Sequence, residues 1–188
     1  QQTQALEAGI LERLLAYDLS SMTKEQALSA RVYGWYLDDL VRGHVYVYDD
    51  YPINPVIISL HLRLYFLFTE YHQLNTEKDA EEYLLRLAQM GTKMDQIIAG
   101  LGLREERGVI LPGFIIDVVL PDLASIADSP AVSTPFYSTL SDKLSTAPAV
   151  SSEKRIELLE QAVEVIEETV RPAYGRLVQA LTAQRSKA

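Results

Sequence analysis

The side chains best suited to chemistry gather in the stretch from Val45 to Phe68, VYVYDDYPINPVIISLHLRLYFLF, which joins a loop rich in tyrosine and aspartate to a markedly apolar segment. Adjacent acids in a loop can bind cations or polar ligands, and aromatic rings beside them can stack on a substrate. Tyr48, Asp49, Asp50, Tyr51, Asn54 and, further on, His61 are therefore the candidate cleft-lining residues. The same residue types also form turns, with aspartates accepting from nearby N–H groups and tyrosine hydroxyls pointing outward. A second acidic pair, Asp38-Asp39, lies upstream.

The three histidines, His44, His61 and His72, are the first residues to test as metal ligands or general bases. His61 and His72 fall on one helical face, but a rise of ~1.5 Å per residue separates them by roughly 16 Å, too far to share an ion. The chain contains no HExxH and no GxSxG, and without cysteine it has no thiolate nucleophile. Gly100-x-Gly102 follows a helical pattern, not a strand, so it is not a dinucleotide fingerprint. No catalytic residue and no metal ligand set can be read from these spacings, and no cofactor is expected within the chain.

Composition narrows the partners. With 26 acidic and 17 basic residues the formal charge is -9, which repels phosphate backbones and anionic lipid surfaces, so nucleic acid is not an expected partner. The apolar content of 48% is ample for a packed core in a soluble globular protein. The run Val56 to Phe68 is too short to span a bilayer and is interrupted by His61 and Arg63. The absence of cysteine fits a cytoplasmic protein and one exported after signal removal equally well, leaving the compartment open.

The elements that must position these residues are helical. Leu6, Ile10, Leu14 and Tyr17 recur at helical spacing. Thr23 with Gln26 forms a capping-box pattern before a second helix, whose Leu28, Val32, Trp35 and Tyr36 line one side and which should end near Gly43. Val45 to Tyr48 suits a short extended piece, and Pro55 suits the first turn of a third helix running to about His72. On that helix Ser59, Arg63 and Glu70 form a polar stripe roughly opposite His61, Tyr65, Phe68 and His72.

Asn75 or Thr76 caps a fourth helix with core positions at Tyr83, Leu84 and Leu87; a fifth starts near Thr92, and Pro112 opens a sixth. The Ser/Thr/Pro/Ala-rich segment at about 129–151 reads as a flexible connection in which Phe136-Tyr137 and Leu140 anchor at most a short helix. From Ser152 to about Gln184 the longest helix carries Ile156, Leu159, Val163, Ile166, Val170, Ala173, Leu177 and Leu181 on one stripe. Pro172 should kink it, and its glutamates from Glu157 to Glu168 read as a solvated face. The expected fold is all-α: a single domain over residues 1–188, an antiparallel, bundle-like array of about six to seven helices with a long kinked C-terminal helix.

Several segments resemble the N-terminal part of the large bacterial family known as domain of unknown function 885. They are Tyr51-Pro52-Ile53, DAEEYLLRLAQM from Asp79 to Met90 followed by Asp95-Gln96, GVILPGFIIDVVL from Gly108 to Leu120, TPFY from Thr134 to Tyr137, and VRPAYGRL from Val170 to Leu177. The resemblance implies an α-helical relative of zinc metallopeptidases whose HExxH helix and further glutamate ligand lie in a C-terminal portion. Because His44, His61 and His72 fall in no such pattern, zinc is implied for the longer family members only. The expected function is then a non-catalytic N-terminal helical region, probed by a peptide substrate along one cleft wall and partnered by the metal-bearing C-terminal portion of the same protein. The alternative is a stand-alone helical module that binds a basic or sugar-like ligand through the Asp49/Asp50/Tyr51 loop, or that self-associates along the stripe of its last helix.

Overall fold

In the computed structural model, which describes residues 2–56 and 59–188, all regular structure among the described residues is helical, as the periodicities require. Ile57 and Ile58, inside the apolar run Val56 to Phe68, lie outside the described residues. The chain divides into two compact units, Gln1–Asp50 and Tyr51–Ala188.

The first unit is a helical hairpin. α1 (Gln2–Leu15) packs on α2 (Lys24–Gly43), and Asp18 accepts from the backbone of Ser20 to shape the turn between them. Thr23 and Gln26 form the reciprocal capping box foreseen from their spacing, each side chain accepting the other's backbone N–H. His44 Nε2 meets Glu7 at 2.6 Å and ties the end of α2 to α1. The segment beginning at His44 is a 3-10 turn, His44–Tyr46, and not an extended piece. α2 also differs from expectation in its orientation: Ala27 and Leu37 are its buried residues, whereas Leu28, Val32, Trp35 and Tyr36 are exposed. The hairpin closes through Ala27 and Leu37, leaving the apolar stripe exposed.

The second unit holds the core. α3 (Leu60–Phe66), with Ser59 at its N-cap, begins several residues later than Pro55. A π turn, Leu67–Tyr71, ends it and brings Phe68 and His72 inward. Thr76 and Asp79 build a second capping box at the start of α4 (Glu77–Ala88), and α5 (Met90–Glu105) follows almost directly. Gly108, at φ 77°, occupies the left-handed region that an L side chain rarely adopts and reverses the chain towards α6 (Gly113–Asp128).

The segment at 129–151 holds two helical pieces. It contains a 3-10 turn, Ala131–Ser133, and the twelve-residue α7 (Pro135–Thr146), capped by Thr134 and burying Phe136, Leu140 and Leu144. What remains of the connection is held by Arg155, whose guanidinium donates to the carbonyls of Ala147 and Val150. α8 (Ser152–Val165), a π turn (Ile166–Val170) and α9 (Arg171–Arg185) run on as one helix of 34 residues. The wider π turn falls just before Pro172, where a missing N–H and the ring would obstruct ordinary α register.

Leu158, Ala162, Ile166, Val170, Ala173, Leu177 and Leu181 are buried along the long helix, and α6 packs on α9 more extensively than any other pair of elements. Ile156, expected in this stripe, is exposed. Its glutamate face is also not wholly solvated, since Glu167 accepts from Ala131 N–H at 2.8 Å and pairs with Arg171. An aromatic cluster joins α3, α4, α7 and α9: Phe68 sets its edge to Tyr83 and to Phe136, and Phe136 in turn meets Tyr174.

Candidate functional site

The site-forming residues foreseen from the sequence fall in both units and do different things. Asp49 is exposed, and its backbone N–H donates to Tyr46 O at 2.9 Å. Tyr48 is half-buried, and Asp50 and Tyr51 are exposed. Asn54 is committed to its own loop: its amide donates to Tyr51 O, its carbonyl oxygen accepts from Val56 N–H, and its backbone N–H donates to Ser59 Oγ.

His61 is the member of the set that is both buried and turned towards open space. It is 5% exposed and forms part of the wall of a cavity of about 290 Å³ between α3, α6, α9 and the first residue of α7. Its Nδ1 lies 2.6 Å from Ser59 Oγ. Ser59, fully buried, also accepts from Asn54 N–H and lies 3.3 Å from Pro52 O. A hydroxyl has one proton and two lone pairs, and Pro52 O can only accept. All three contacts are hydrogen bonds only if the Ser59 proton goes to Pro52 O and His61 Nδ1–H donates to Ser59. That arrangement leaves Nε2 as the imidazole's acceptor, and no hydrogen bond engages it among the described residues. Burial pushes the His61 pKa down to about 4 against a smaller opposing effect of Asp122, so the ring is neutral at pH 7.

Tyr174, on α9, stands in the same cavity wall. It is 1% exposed, and its buried hydroxyl has no hydrogen-bond partner among the described residues. Burial raises its pKa above the usual phenol range, which keeps the hydroxyl protonated. Tyr65 adds a second phenol, Asp122 contributes an exposed carboxylate, and Leu62, Leu123 and Ile126 supply apolar wall. Sequence spacing placed His61 and Tyr65 on one side of their helix but did not single out Tyr174 or Asp122. The available signal was a lone tyrosine beside Ala173 within an otherwise aliphatic inward stripe. A larger groove, lined by Leu60, Leu64 and Leu67 with Arg63 and Lys93, lies elsewhere on the second unit.

The remaining histidines are structural. His72 Nδ1 accepts from Arg86 at 2.5 Å and its Nε2 donates to Asp79 O at 2.8 Å, so both ring nitrogens are engaged. Burial lowers its pKa, and Lys143 holds its carbonyl from α7. His44 is paired with Glu7. No group of three or more histidine, aspartate or glutamate side chains able to hold a metal ion occurs among the described residues. No helix among the described residues is long and apolar enough to cross a membrane.

These features define an all-helical protein with a small, mixed polar and apolar cavity. The chain belongs to the family described as "Bacterial protein of unknown function (DUF885)", whose sequence profile matches residues 1–188. Its fold is similar to that in "The crystal structure of the putative lipoprotein from Colwellia psychrerythraea", with a TM-score of 0.81 at 18% sequence identity. The match covers 100% of this chain and 33% of that one, so the chain spans about a third of the length of the protein it resembles. No match is found among the curated proteins.

Proposed function

We propose that this chain is the non-catalytic N-terminal helical region of a larger, zinc-dependent peptidase-like hydrolase, where it forms part of a substrate cleft wall against a metal-bearing C-terminal portion. The observation that carries this reading is the uncovered stripe of α2. Leu28, Val32, Trp35 and Tyr36 are each more than half exposed, and together they present the kind of apolar patch that a missing partner covers. The threefold greater length of the matched lipoprotein chain supports a partner within the same polypeptide. Zinc, peptide substrate and the C-terminal location of the metal enter through the family resemblance. Among the cleft-lining candidates, Asp49 and Tyr51 keep exposed side chains, whereas the Asn54 amide serves its own loop.

Self-association along the last helix loses its basis, because most of that stripe is already buried within the second unit. The test is hydrolysis of unstructured peptides by this chain in the presence of zinc. Turnover no higher than in a protein-free control is expected; chelator-sensitive peptide cleavage by the chain alone overturns the reading.

A further inference from the structure

The larger groove of the second unit measures about 690 Å³ and is built from α3, its π turn and α5, within the range of small-molecule sites, roughly 300–1,000 Å³. Its floor is hydrocarbon. Leu60, Leu64 and Leu67 are half-buried and rest on the core beneath them, and Phe66 extends the same surface. The charged residues of the lining are Arg63 from α3 and Lys93 from α5, one cation from each helix. Both are exposed, and neither side chain makes an ion pair or a hydrogen bond among the described residues. No carboxylate belongs to the lining, and Asp95, two residues from Lys93, is already held by both arms of Arg176. Acids outnumber bases in this chain, 26 to 17, so two unneutralised cations on one apolar groove reverse the local field and favour an anion there.

We propose that this groove binds a single-chain amphiphilic carboxylate as a free monomer, its hydrocarbon body laid on Leu60, Leu64, Phe66 and Leu67 and its head group drawn by Arg63 and Lys93. Each part of the ligand answers a different part of the lining. A neutral chain of the same length would cover the floor but leave the cations unanswered, and a cationic chain would be repelled by them. Acetate carries the charge but has almost no apolar area to bury. A free monomer fits better than an anionic bilayer, because a membrane surface would meet the chain's net charge of -9 as a whole, whereas a monomer meets only the groove. The proposal goes beyond the hydrolase reading and is independent of it, since every residue named lies between Tyr51 and Ala188 and the readout is binding, not turnover.

The experiment titrates the whole chain with decanoate, decanol, decyltrimethylammonium and acetate below micellar concentrations, following binding by NMR chemical-shift perturbation and calorimetry. Decanoate is expected to saturate at one site, with shifts centred on α3, the π turn and α5. It should bind about three- to tenfold more tightly than decanol, as expected for one or two exposed charges, and the preference should shrink as salt is raised. Decyltrimethylammonium should bind more weakly than decanol, and acetate should not saturate. Arg63→Gln and Lys93→Gln together should abolish the preference for decanoate over decanol while leaving decanol affinity unchanged, since both positions are exposed and glutamine is a good helix former. Lys24→Gln with Arg31→Gln, which removes the same two charges from α2, should leave the preference intact. Equal affinity for decanoate and decanol, shifts centred on the α2 stripe, or a preference that survives the Arg63/Lys93 double substitution would each overturn the proposal. No saturable binding of decanoate, or binding only to phosphatidylglycerol vesicles, would also overturn it, and would leave the groove to a protein partner or to a membrane surface respectively.

Discussion

The imidazole of His61 is held neutral by burial, and this makes it a source of acid sensitivity. Its folded pKa, about 4, is below the unfolded value of ~6.5, so the unfolded chain binds the extra proton first as pH falls. Stability from this group is fully present above ~6.5 and is lost as pH falls through about 4, by roughly 3 kcal/mol across the window. His61→Asn keeps an N–H near the Nδ1 position but cannot titrate, so urea unfolding of that variant should show a flatter stability profile between pH 6.5 and 4; an unchanged slope would assign the acid sensitivity to other groups. Tyr174 makes a prediction of the opposite sign. Its hydroxyl is buried with no hydrogen-bond partner among the described residues, so Tyr174→Phe should raise the urea midpoint, by about 1 kcal/mol of stability. A loss of stability would mean that the hydroxyl already has a resident partner. Both residues show the limit of sequence reading at this scale: His61 stood out because histidine is rare here, whereas the tyrosine in the same cavity wall sits more than a hundred positions away on another helix.

Helices with local start signals were legible in the sequence, and those fixed by distant contacts were not. Thr23/Gln26 is complete within four residues, so its capping box could be foreseen from spacing alone, and Thr76 is one of the two caps the sequence offered for α4, where the structure adds the reciprocal bond from Asp79. α7 was underestimated because its composition resembles a linker, while its order comes from tertiary ties. Phe136 enters the aromatic cluster, Tyr83 Oη donates to Phe136 O at 2.8 Å, and Lys143 donates to His72 O at 2.8 Å. Pro55 gave a false start for α3 because a proline permits a helix without requiring one, and the helix starts only after Ser59. If α7 is core, Leu140→Ala should cost about 2–5 kcal/mol in equilibrium unfolding, the range for a fully buried leucine. A change below ~0.5 kcal/mol, typical of a surface position, would restore the view of this segment as a connection.

At the scale of the molecule, helical periodicity says which residues share a face but not whether anything covers that face. The long helix and α2 both carry apolar stripes at the same spacing; the first is buried by α6 and its neighbours, and the second is open, with Trp35 68% exposed. The two cases respond differently to polar substitution, which gives a test of the uncovered face. Replacing Leu28, Val32 and Trp35 together by glutamine removes apolar surface without deleting packing, and glutamine is a good helix former. Circular dichroism should therefore retain its helical signal, and the thermal midpoint should move by no more than about 6 °C, since exposed substitutions contribute within roughly ±0.5 kcal/mol each. Binding of a hydrophobic dye should fall severalfold, together with any concentration-dependent association seen by sedimentation. A drop in midpoint beyond ~10 °C would show instead that the stripe is packed within the chain, and would remove the observation on which the larger-hydrolase reading rests. The same three substitutions placed in a longer member of the family should weaken the attachment of this region to the remainder of the protein, read as easier proteolytic separation.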